Sequence, residues 1–379
     1  MKLNILIKQI VFLLMFSSLS SCLIFKGYSK RQYEGKFTTH IPYKVVDGWI
    51  VINTEVGGKK GDFIFDTGAK SAVFSDFDST LIGAYPVVFN SKVIDAHNQK
   101  GSVNREYYST ILGNIAMYNH QWLVKSTRLS SLSTNCKSDT IQGFLGNDVL
   151  NQGVFYFNHA DSNLTIYGHI SQIKELNTFT KVKVSTKRGY FYTKMDGVNY
   201  LIDSGFRNGF LMSSNPKSIH KNLPIDTINY LSVAAHGISE KMELFQKKEV
   251  HVNGLNFKGI ISFNKQNPNL LGAQWFLEND IIMDATSKRF YIRKGKSESK
   301  STDFARISLT VYNNYVCVSA IKGKNNQVSI GDKVLEINGV STESIKTDCD
   351  LLEFKKANQI SKIQTLGISK KGKKITLEL

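Results

Sequence analysis

Short apolar stretches separated by turn residues run through most of this chain, and long amphipathic stretches with a helical period are rare. Apolar runs of about four to eight residues, bounded by turn residues, are typical of β-strands. The segments 54–66 and 193–203 each contain two such runs joined by a tight glycine turn, which predicts a β-hairpin in each. The pattern therefore predicts an all-β protein.

The order of these features repeats along the chain. The first hairpin leads into Asp66-Thr67-Gly68 and the second into Asp203-Ser204-Gly205. Downstream of each comes an Ala-His pair, at 96–97 and 235–236, and then an apolar segment around a glycine and a strand pair. This repeat predicts two homologous β lobes, residues 35–172 and 173–294.

The character of the chain changes after the second copy. Residues 295–303 are polar and charged, which is typical of a linker. A smaller unit follows over 304–379, with strands predicted at 307–311 and 315–321. A helix is predicted near 347–357, with Leu351, Leu352 and Phe354 on one side.

The first 21 residues have the pattern of an export signal. Two lysines precede an apolar run that is too short to span a bilayer, and small residues follow. The segment 19–22 (Leu-Ser-Ser-Cys) resembles the bacterial lipobox, which implies lipidation of Cys22 and a tether over 22–34. An ordinary signal peptide cleaved nearby is the alternative. We therefore expect an exported lipoprotein, anchored to a membrane of the bacterial cell envelope.

Composition and charge bear on cofactors and partners. The formal net charge is +17, but the lysines are scattered and no RNA or DNA motif accompanies them, so no nucleic-acid partner is expected. An anionic membrane surface is the simpler partner for this charge. The cysteines match no metal motif, so no metal or cofactor is expected, and a Cys317–Cys349 disulfide is left open. The cysteines are Cys22, Cys136, Cys317 and Cys349. His97 and His236, at equivalent repeat positions, are assigned structural roles.

The two Asp-Thr/Ser-Gly segments predict a catalytic pair, Asp66 and Asp203. A carboxylate at a strand end, exposed by a glycine turn, can face its twin across a pseudo-two-fold axis. Two carboxylates about 3 Å apart cannot both ionise, so they share a proton. One then activates a water molecule while the other polarises a carbonyl. The supporting loop positions are Thr67, Gly68, Ser204 and Gly205.

These segments resemble known protease motifs. Residues 63–69 (Phe-Ile-Phe-Asp-Thr-Gly-Ala) resemble the retropepsin signature, and residues 202–205 (Ile-Asp-Ser-Gly) its second-lobe counterpart in pepsin-like enzymes. Residues 144–146 and 270–272 resemble the apolar-apolar-Gly motif that packs beneath each catalytic loop. The resemblance implies a two-lobed aspartic endopeptidase acting on a peptide or protein substrate as a monomer. It also implies a flap within about 90–110, with its tip left open between Asn98, Gln99 and Gly101.

The second loop departs from the family pattern. Phe206 and Arg207 stand where pepsin-like enzymes usually carry small hydroxylated residues. An arginine at this position is expected to stabilise a carboxylate and lower its pKa. The alternatives to an active peptidase are a catalytically inactive lipoprotein of the same fold that binds peptides or partner proteins, and a purely structural envelope lipoprotein.

The C-terminal unit resembles a bacterial PDZ domain. Its segment 331–339 (Gly-Asp-Lys-Val-Leu-Glu-Ile-Asn-Gly) is close to the most recognisable part of that family. The resemblance implies that an extended peptide adds to the edge strand 307–311, beside the predicted helix. Ile307, Leu309 and Val311 are the candidate contact residues. A packing module that binds no peptide is the alternative.

Overall fold

The computed structural model describes residues 35–379, apart from 47, 83–84, 87–90, 95–99, 126–140, 208–209, 220–221, 235–236, 253–254, 267, 296–305, 324–326, 361–362, 371 and 379. The fold is all-β, with two large sheets and few helices, which confirms the predicted fold class. The predictions for the export signal, the tether and most of the linker lie outside the described residues. So do those for Cys22, Cys136, His97, His236, Asn98 and Gln99.

The first half of the chain forms the larger part of one sheet. Its β2–β3 hairpin turns at Gly57 and Gly58, whose φ angles of 54° and 79° glycine adopts without strain. Strand β3 then pairs in parallel with β9, which places Asp66 beside Gly146. The short helices here are α1 (Ser75–Asp78) and the 3-10 turns Asn147–Gln152 and Ile170–Gln172. The strands are β1 (Thr38–Val46), β2 (Trp49–Val56), β3 (Lys59–Asp66), β4 (Ala72–Phe74), β5 (Tyr85–Pro86), β6 (Ser91–Ile94), β7 (Lys100–Leu112), β8 (Ile115–Lys125), β9 (Ile141–Gly146), β10 (Val154–Asn158) and β11 (Asn163–Tyr167).

The second half repeats this arrangement. Its β14–β15 hairpin leads towards Asp203, and β15 pairs in parallel with β20, as β3 does with β9. The helices are α2 (Ala273–Leu277) and the 3-10 turns Leu176–Thr178 and Pro216–Ser218. The strands are β12 (Thr180–Val182), β13 (Val184–Lys187), β14 (Tyr190–Met195), β15 (Val198–Ile202), β16 (Leu211–Ser213), β17 (Asp226–Ala234), β18 (Gly237–Val252), β19 (Leu255–Phe263), β20 (Leu270–Leu271), β21 (Asn279–Asp284) and β22 (Arg289–Lys294).

The two halves share a sheet and a core. Strand β10 of the first half pairs antiparallel with β21 of the second, from Val154↔Asp284 to Phe157↔Ile281. Buried aromatic side chains meet behind this pairing, with the Phe157 and Phe276 ring centroids 5.2 Å apart. Because the core is continuous, the loops that follow β3 and β15 are held in a fixed relation to each other.

The C-terminal unit has its own hydrophobic core and joins the second half edge to edge. Strand β24 pairs antiparallel with β17, from Ile228↔Lys322 to Tyr230↔Ala320. The predicted helix is confirmed, but Leu352 is 38% exposed while Leu351 is buried, because neighbouring helical residues point about 100° apart. The elements are β23 (Ile307–Tyr312), β24 (Tyr315–Lys322), β25 (Lys333–Ile337), β26 (Val340–Ser341), α3 (Asp348–Ala357), β27 (Thr365–Lys370) and β28 (Lys373–Glu378).

Two further observations concern the membrane and the thiols. Within the part of the chain that the structure describes, no helix is long and apolar enough to cross a membrane. Cys317 is buried and Cys349 is partly exposed, and no disulfide joins them.

Candidate active site

The two predicted catalytic aspartates lie at the ends of equivalent strands. Asp66 ends β3, and Asp203 directly follows β15. Each carboxylate is oriented by its own loop, because Oδ1 of Asp66 accepts the Gly68 N–H at 2.8 Å and Oδ1 of Asp203 accepts the Gly205 N–H at 2.9 Å. Oδ1 of Asp203 also accepts the Phe206 N–H at 3.2 Å. Both loops thus hold the carboxylate in the same way.

Hydrogen bonds across the two loops lock them together. The Thr67 hydroxyl donates to the Ile202 carbonyl at 2.7 Å and accepts the Ser204 N–H at 3.0 Å. The reciprocal pair is present as well, since the Ser204 hydroxyl donates to the Phe65 carbonyl at 2.8 Å and accepts the Thr67 N–H at 3.0 Å. All four bonds are buried. The predicted supporting residues therefore brace each loop from the opposite half.

The loop glycines allow the carboxylates to approach each other. A Cβ atom added at Gly68 would lie 2.4 Å from Cγ of Asp203, and one added at Gly205 would lie 2.4 Å from Cγ of Asp66. Real Cβ atoms essentially never come this close to another heavy atom. Asp66 and Asp203 are also joined by a side-chain hydrogen bond. The structure therefore brings the two predicted catalytic residues into direct contact.

This contact changes the acidity of the pair. Burial raises the pKa of Asp203 well above its ordinary value of 3.8, and the charge of Asp66 and their hydrogen bond raise it further. The backbone N–H groups of Gly205 and Phe206 act in the opposite direction but do not outweigh these effects. Two interacting carboxyls release their protons in separate steps that belong to the pair. A proton therefore stays on the pair at pH values where an isolated Asp would be ionised.

The apolar-apolar-Gly segments lie beneath the loops, as their resemblance implied. The Asn147 N–H donates to the Ala69 carbonyl at 3.0 Å, and the Ala273 N–H donates to the Phe206 carbonyl at 2.8 Å. Gly146 is packed so tightly that an added Cβ would lie 2.3 Å from the Lys70 backbone. Each loop is thus supported by the backbone of a parallel neighbouring strand.

A partly buried polar network beneath the first loop was not predicted. Oδ1 of Asp148 accepts both the N–H and the hydroxyl of Ser71, at 2.9 and 3.0 Å, and its Oδ2 lies 2.9 Å from Nε2 of His120. Burial raises the pKa of Asp148, but the hydrogen bond and charge of His120, the charge of Lys70 and the Ser71 N–H together outweigh it, so the net shift is downward. No sequence spacing indicates this group, because β4–β8 pairing brings His120 to the loop.

Trp49 and Arg207 form a contact between the halves beside the second loop. The indole N–H of Trp49 donates to the Gly205 carbonyl at 2.8 Å, and the Arg207 guanidinium lies 4.1 Å from the Trp49 ring centroid. The sequence predicted that Arg207 lowers a catalytic pKa. That expectation is wrong for Asp203, whose pKa is raised because burial and the charge of Asp66 dominate.

Tyr190 is a second residue that the sequence analysis missed. It begins β14, and Nζ of Lys70, in the first loop, lies 5.3 Å from its ring centroid. Burial, with the nearby charges of Asp148 and Asp66, raises the pKa of Tyr190 to about 12. The phenol therefore remains a neutral hydrogen-bond donor close to the carboxylate pair.

Strands occupy the region predicted for the flap. β6 and β7 form a hairpin with the register Ser91↔Val103 to Ile94↔Lys100, and its turn at 95–99 lies outside the described residues. Gly101 lies within β7 rather than at the tip. The β17–β18 hairpin is the matching element of the second half.

The candidate peptide-contact residues of the C-terminal unit lie on β23. Ile307 and Val311 are buried in the core of the unit, and Leu309 packs partly buried against it. Among the described strands β23 pairs only with β24, and its other edge faces the start of α3. The Val311 N–H on that edge already donates to Oδ1 of Asp348 at 2.8 Å. Peptide addition at this edge stays a prediction.

Comparison with known proteins adds no assignment to this geometry. No protein-family model matches the sequence, and no curated protein matches it either. In the described ranges, no group of three or more His, Cys, Asp or Glu side chains is arranged to hold a metal ion.

Proposed function

We propose that this chain is an aspartic endopeptidase whose catalytic residues are Asp66 and Asp203. The observation that carries the proposal is the pair itself, two hydrogen-bonded carboxylates on equivalent loops that are braced against each other across the molecule. A structural turn has no need of two half-buried acids in contact, since such contact is costly unless one proton is retained. Both carboxylates come from one chain, so a monomer contains the whole site.

In the proposed reaction the pair activates a water molecule with one carboxylate and a carbonyl with the other. The ionised carboxylate takes a proton from the water as its oxygen attacks the carbonyl carbon, and the protonated carboxyl donates its proton to the carbonyl oxygen. The tetrahedral intermediate then collapses as the C–N bond breaks. The departing amine takes the proton from the carboxyl that acted as base, and a hydroxyl of the intermediate returns a proton to the other carboxylate, which restores the pair. The raised pKa of Asp203 supports this cycle, because it keeps one proton available.

The test is peptide cleavage by the full chain in detergent micelles, between pH 3 and 8, with products identified by mass spectrometry. We expect cleavage that disappears in both Asp66→Asn and Asp203→Asn. Asp196→Asn is the matched control, because Asp196 is exposed, lies in the hairpin turn before the second loop, and has a positive φ that asparagine tolerates. If the unaltered chain cuts nothing at any pH, the peptide-binding alternative takes the place of this proposal.

The proposal extends to the two ends of the chain. The C-terminal unit is proposed to be a PDZ-type module that binds a peptide or partner protein, which is supported by the β23 edge facing α3. Lipidation of Cys22 is proposed to hold the protein at the bacterial envelope. Metabolic labelling with an alkyne fatty acid tests the anchor, with Cys22→Ser expected to lose the label and the membrane association.

A further inference from the structure

A cavity of about 230 Å³ lies where the second half meets the C-terminal unit, next to the second catalytic loop. The loop contributes Phe206 and Arg207 to its wall, and the sheet of the second half contributes residues of β17, β18 and β19. The C-terminal unit closes it with Ser308 of β23 and with Ser319 and Ala320 of β24. Two parts of the chain that sequence analysis separates thus enclose one space.

The cavity is linked to the catalytic pair through Phe206. Phe206 lines the cavity, and the Phe206 backbone N–H donates to the carboxylate of Asp203. The opposite wall is held in place by a backbone ladder, because Ala320 pairs with Tyr230 across the β17–β24 junction. A group in this cavity would therefore contact both the second catalytic loop and the C-terminal unit.

A buried polar group in the wall has no partner. Ser262 is 7% exposed, lines the cavity, and its hydroxyl oxygen makes no hydrogen bond to any described residue. Buried hydroxyls are nearly always satisfied, and leaving one without a partner is unfavourable. This orphaned hydroxyl, independently of the shape of the cavity, points to a ligand that brings its own polar atom.

The size and lining define the ligand. Pockets for whole small molecules measure roughly 300–1,000 Å³, so a cavity of about 230 Å³ is suited to a single side chain. Aromatic and aliphatic groups such as Phe206 and Phe245 form much of the lining. The charged groups in the wall already have protein contacts, since Glu243 accepts the Tyr230 hydroxyl at 2.8 Å and Arg207 stacks on Trp49. The favoured occupant is a large, uncharged side chain with an apolar body and a hydrogen-bonding tip.

We propose that this cavity is a substrate-specificity pocket, which accepts one tyrosine-like side chain of the peptide, and that the C-terminal unit acts as its outer wall. The inference rests on the proposed peptidase function but goes beyond it. It gives the C-terminal unit a role in substrate selection that does not depend on peptide capture at β23.

The test compares variants that fill the cavity or remove its polar group. Ala320→Phe places a ring into the cavity from the C-terminal unit, and Ala357→Phe makes the same change at an exposed site on α3. Ser262→Ala removes only the orphaned hydroxyl, so it should still fold if Ala320→Phe does not. Cleavage of a peptide library by the full chain is profiled for each, with thermal unfolding as the check on folding.

We expect the unaltered chain to prefer tyrosine at one position near the cleaved bond, by about tenfold over phenylalanine. Ala320→Phe should abolish that preference while peptides with alanine at this position are still cut, and Ser262→Ala should make tyrosine and phenylalanine equivalent. Ala357→Phe should leave the profile unchanged. Cleavage with a profile that neither Ala320→Phe nor Ser262→Ala alters would overturn the pocket and leave the peptidase proposal standing.

A second readout keeps the pocket testable if the chain cuts nothing. Binding of N-acetyl-tyrosinamide, with N-acetyl-alaninamide as the comparison, is measured by ligand-observed NMR on the full chain. Selective binding of the tyrosine compound that is lost in Ala320→Phe supports the pocket independently of catalysis. Equal signals for the two compounds, or binding that Ala320→Phe does not affect, would overturn it.

Discussion

Replacing Thr67 with valine tests whether the hydrogen bonds between the loops hold the proposed site together. Valine keeps the shape of threonine but lacks the hydroxyl, which donates to the Ile202 carbonyl at 2.7 Å and accepts the Ser204 N–H at 3.0 Å. Thr67 is only 2% exposed, so water cannot take the place of the lost oxygen. The change therefore leaves one buried acceptor and one buried donor without a partner.

The expected loss of stability follows from the number of unsatisfied groups. Each buried polar group without a partner costs about 1–3 kcal/mol, so we expect the free energy of unfolding to fall by about 2–6 kcal/mol. Thr54→Val is the matched control. Thr54 is 3% exposed, lies away from the loops, and its hydroxyl donates to the Ile111 carbonyl at 2.7 Å. Only one group is orphaned there, so the expected loss is about 1–3 kcal/mol.

Urea unfolding followed by tryptophan fluorescence measures both losses, and peptide cleavage measures kcat for the folded protein. Thr67→Val should lower kcat, because the two carboxylates are no longer fixed against each other, whereas Thr54→Val should leave it unchanged. Equal losses of stability in the two variants, together with an unaltered kcat in Thr67→Val, would show that these hydrogen bonds do not position the loops.

Three further predictions concern charge and close packing at the site. Asp203→Asn should reduce kcat by about 10²–10⁴-fold. Because the pKa of Asp203 is raised, the native fold loses stability as the pH rises above 3.8, so the variant should be more stable than the unaltered chain at neutral pH. Urea titrations should show that this gain vanishes below pH 3.8. Gly205→Ala should abolish cleavage and lower the free energy of unfolding by about 1–3 kcal/mol in the same titrations, since the added Cβ would meet Asp66. An active, fully stable variant would contradict the proposed contact. Asp148→Asn should lower the free energy of unfolding by about 1.5–3 kcal/mol at pH 7. Because the pKa of Asp148 is lowered, this loss should shrink as the pH falls below 3.8. A loss of stability that does not depend on pH would exclude a role for its charge.

The sequence predicted those parts of the molecule whose signals are local. Hairpins such as β2–β3 follow from apolar runs and a glycine turn, and the repeat indicated which two aspartates correspond. Contact between Asp66 and Asp203 could be inferred only because the repeat implied a pseudo-two-fold axis. The all-β class followed from the same periodicity.

The missed features depend on which strands become neighbours. Trp49 and Gly205 are 156 residues apart, and nothing in either segment indicates that an indole N–H will reach that carbonyl. His120 reaches the first loop only through the parallel pairing of β4 with β8. Likewise, the β17–β24 pairing depends on two edges that are complementary in three dimensions. Short-range patterns carry no information about such partners.

The supports beneath the two loops differ, so the two carboxylates have different surroundings. The first loop is supported by the charged Ser71–Asp148–His120 group, whereas beneath the second the Gly272 N–H donates to the Phe210 carbonyl at 2.8 Å. Identical subunits around a true two-fold axis would give both carboxylates the same surroundings, but a single chain does not have to. The pKa of Asp203 is raised although two backbone N–H groups favour its ionised form, so burial and the charge of Asp66 outweigh them. In the proposed mechanism the pair therefore holds one proton before substrate is cut, with the other carboxylate ionised as the base.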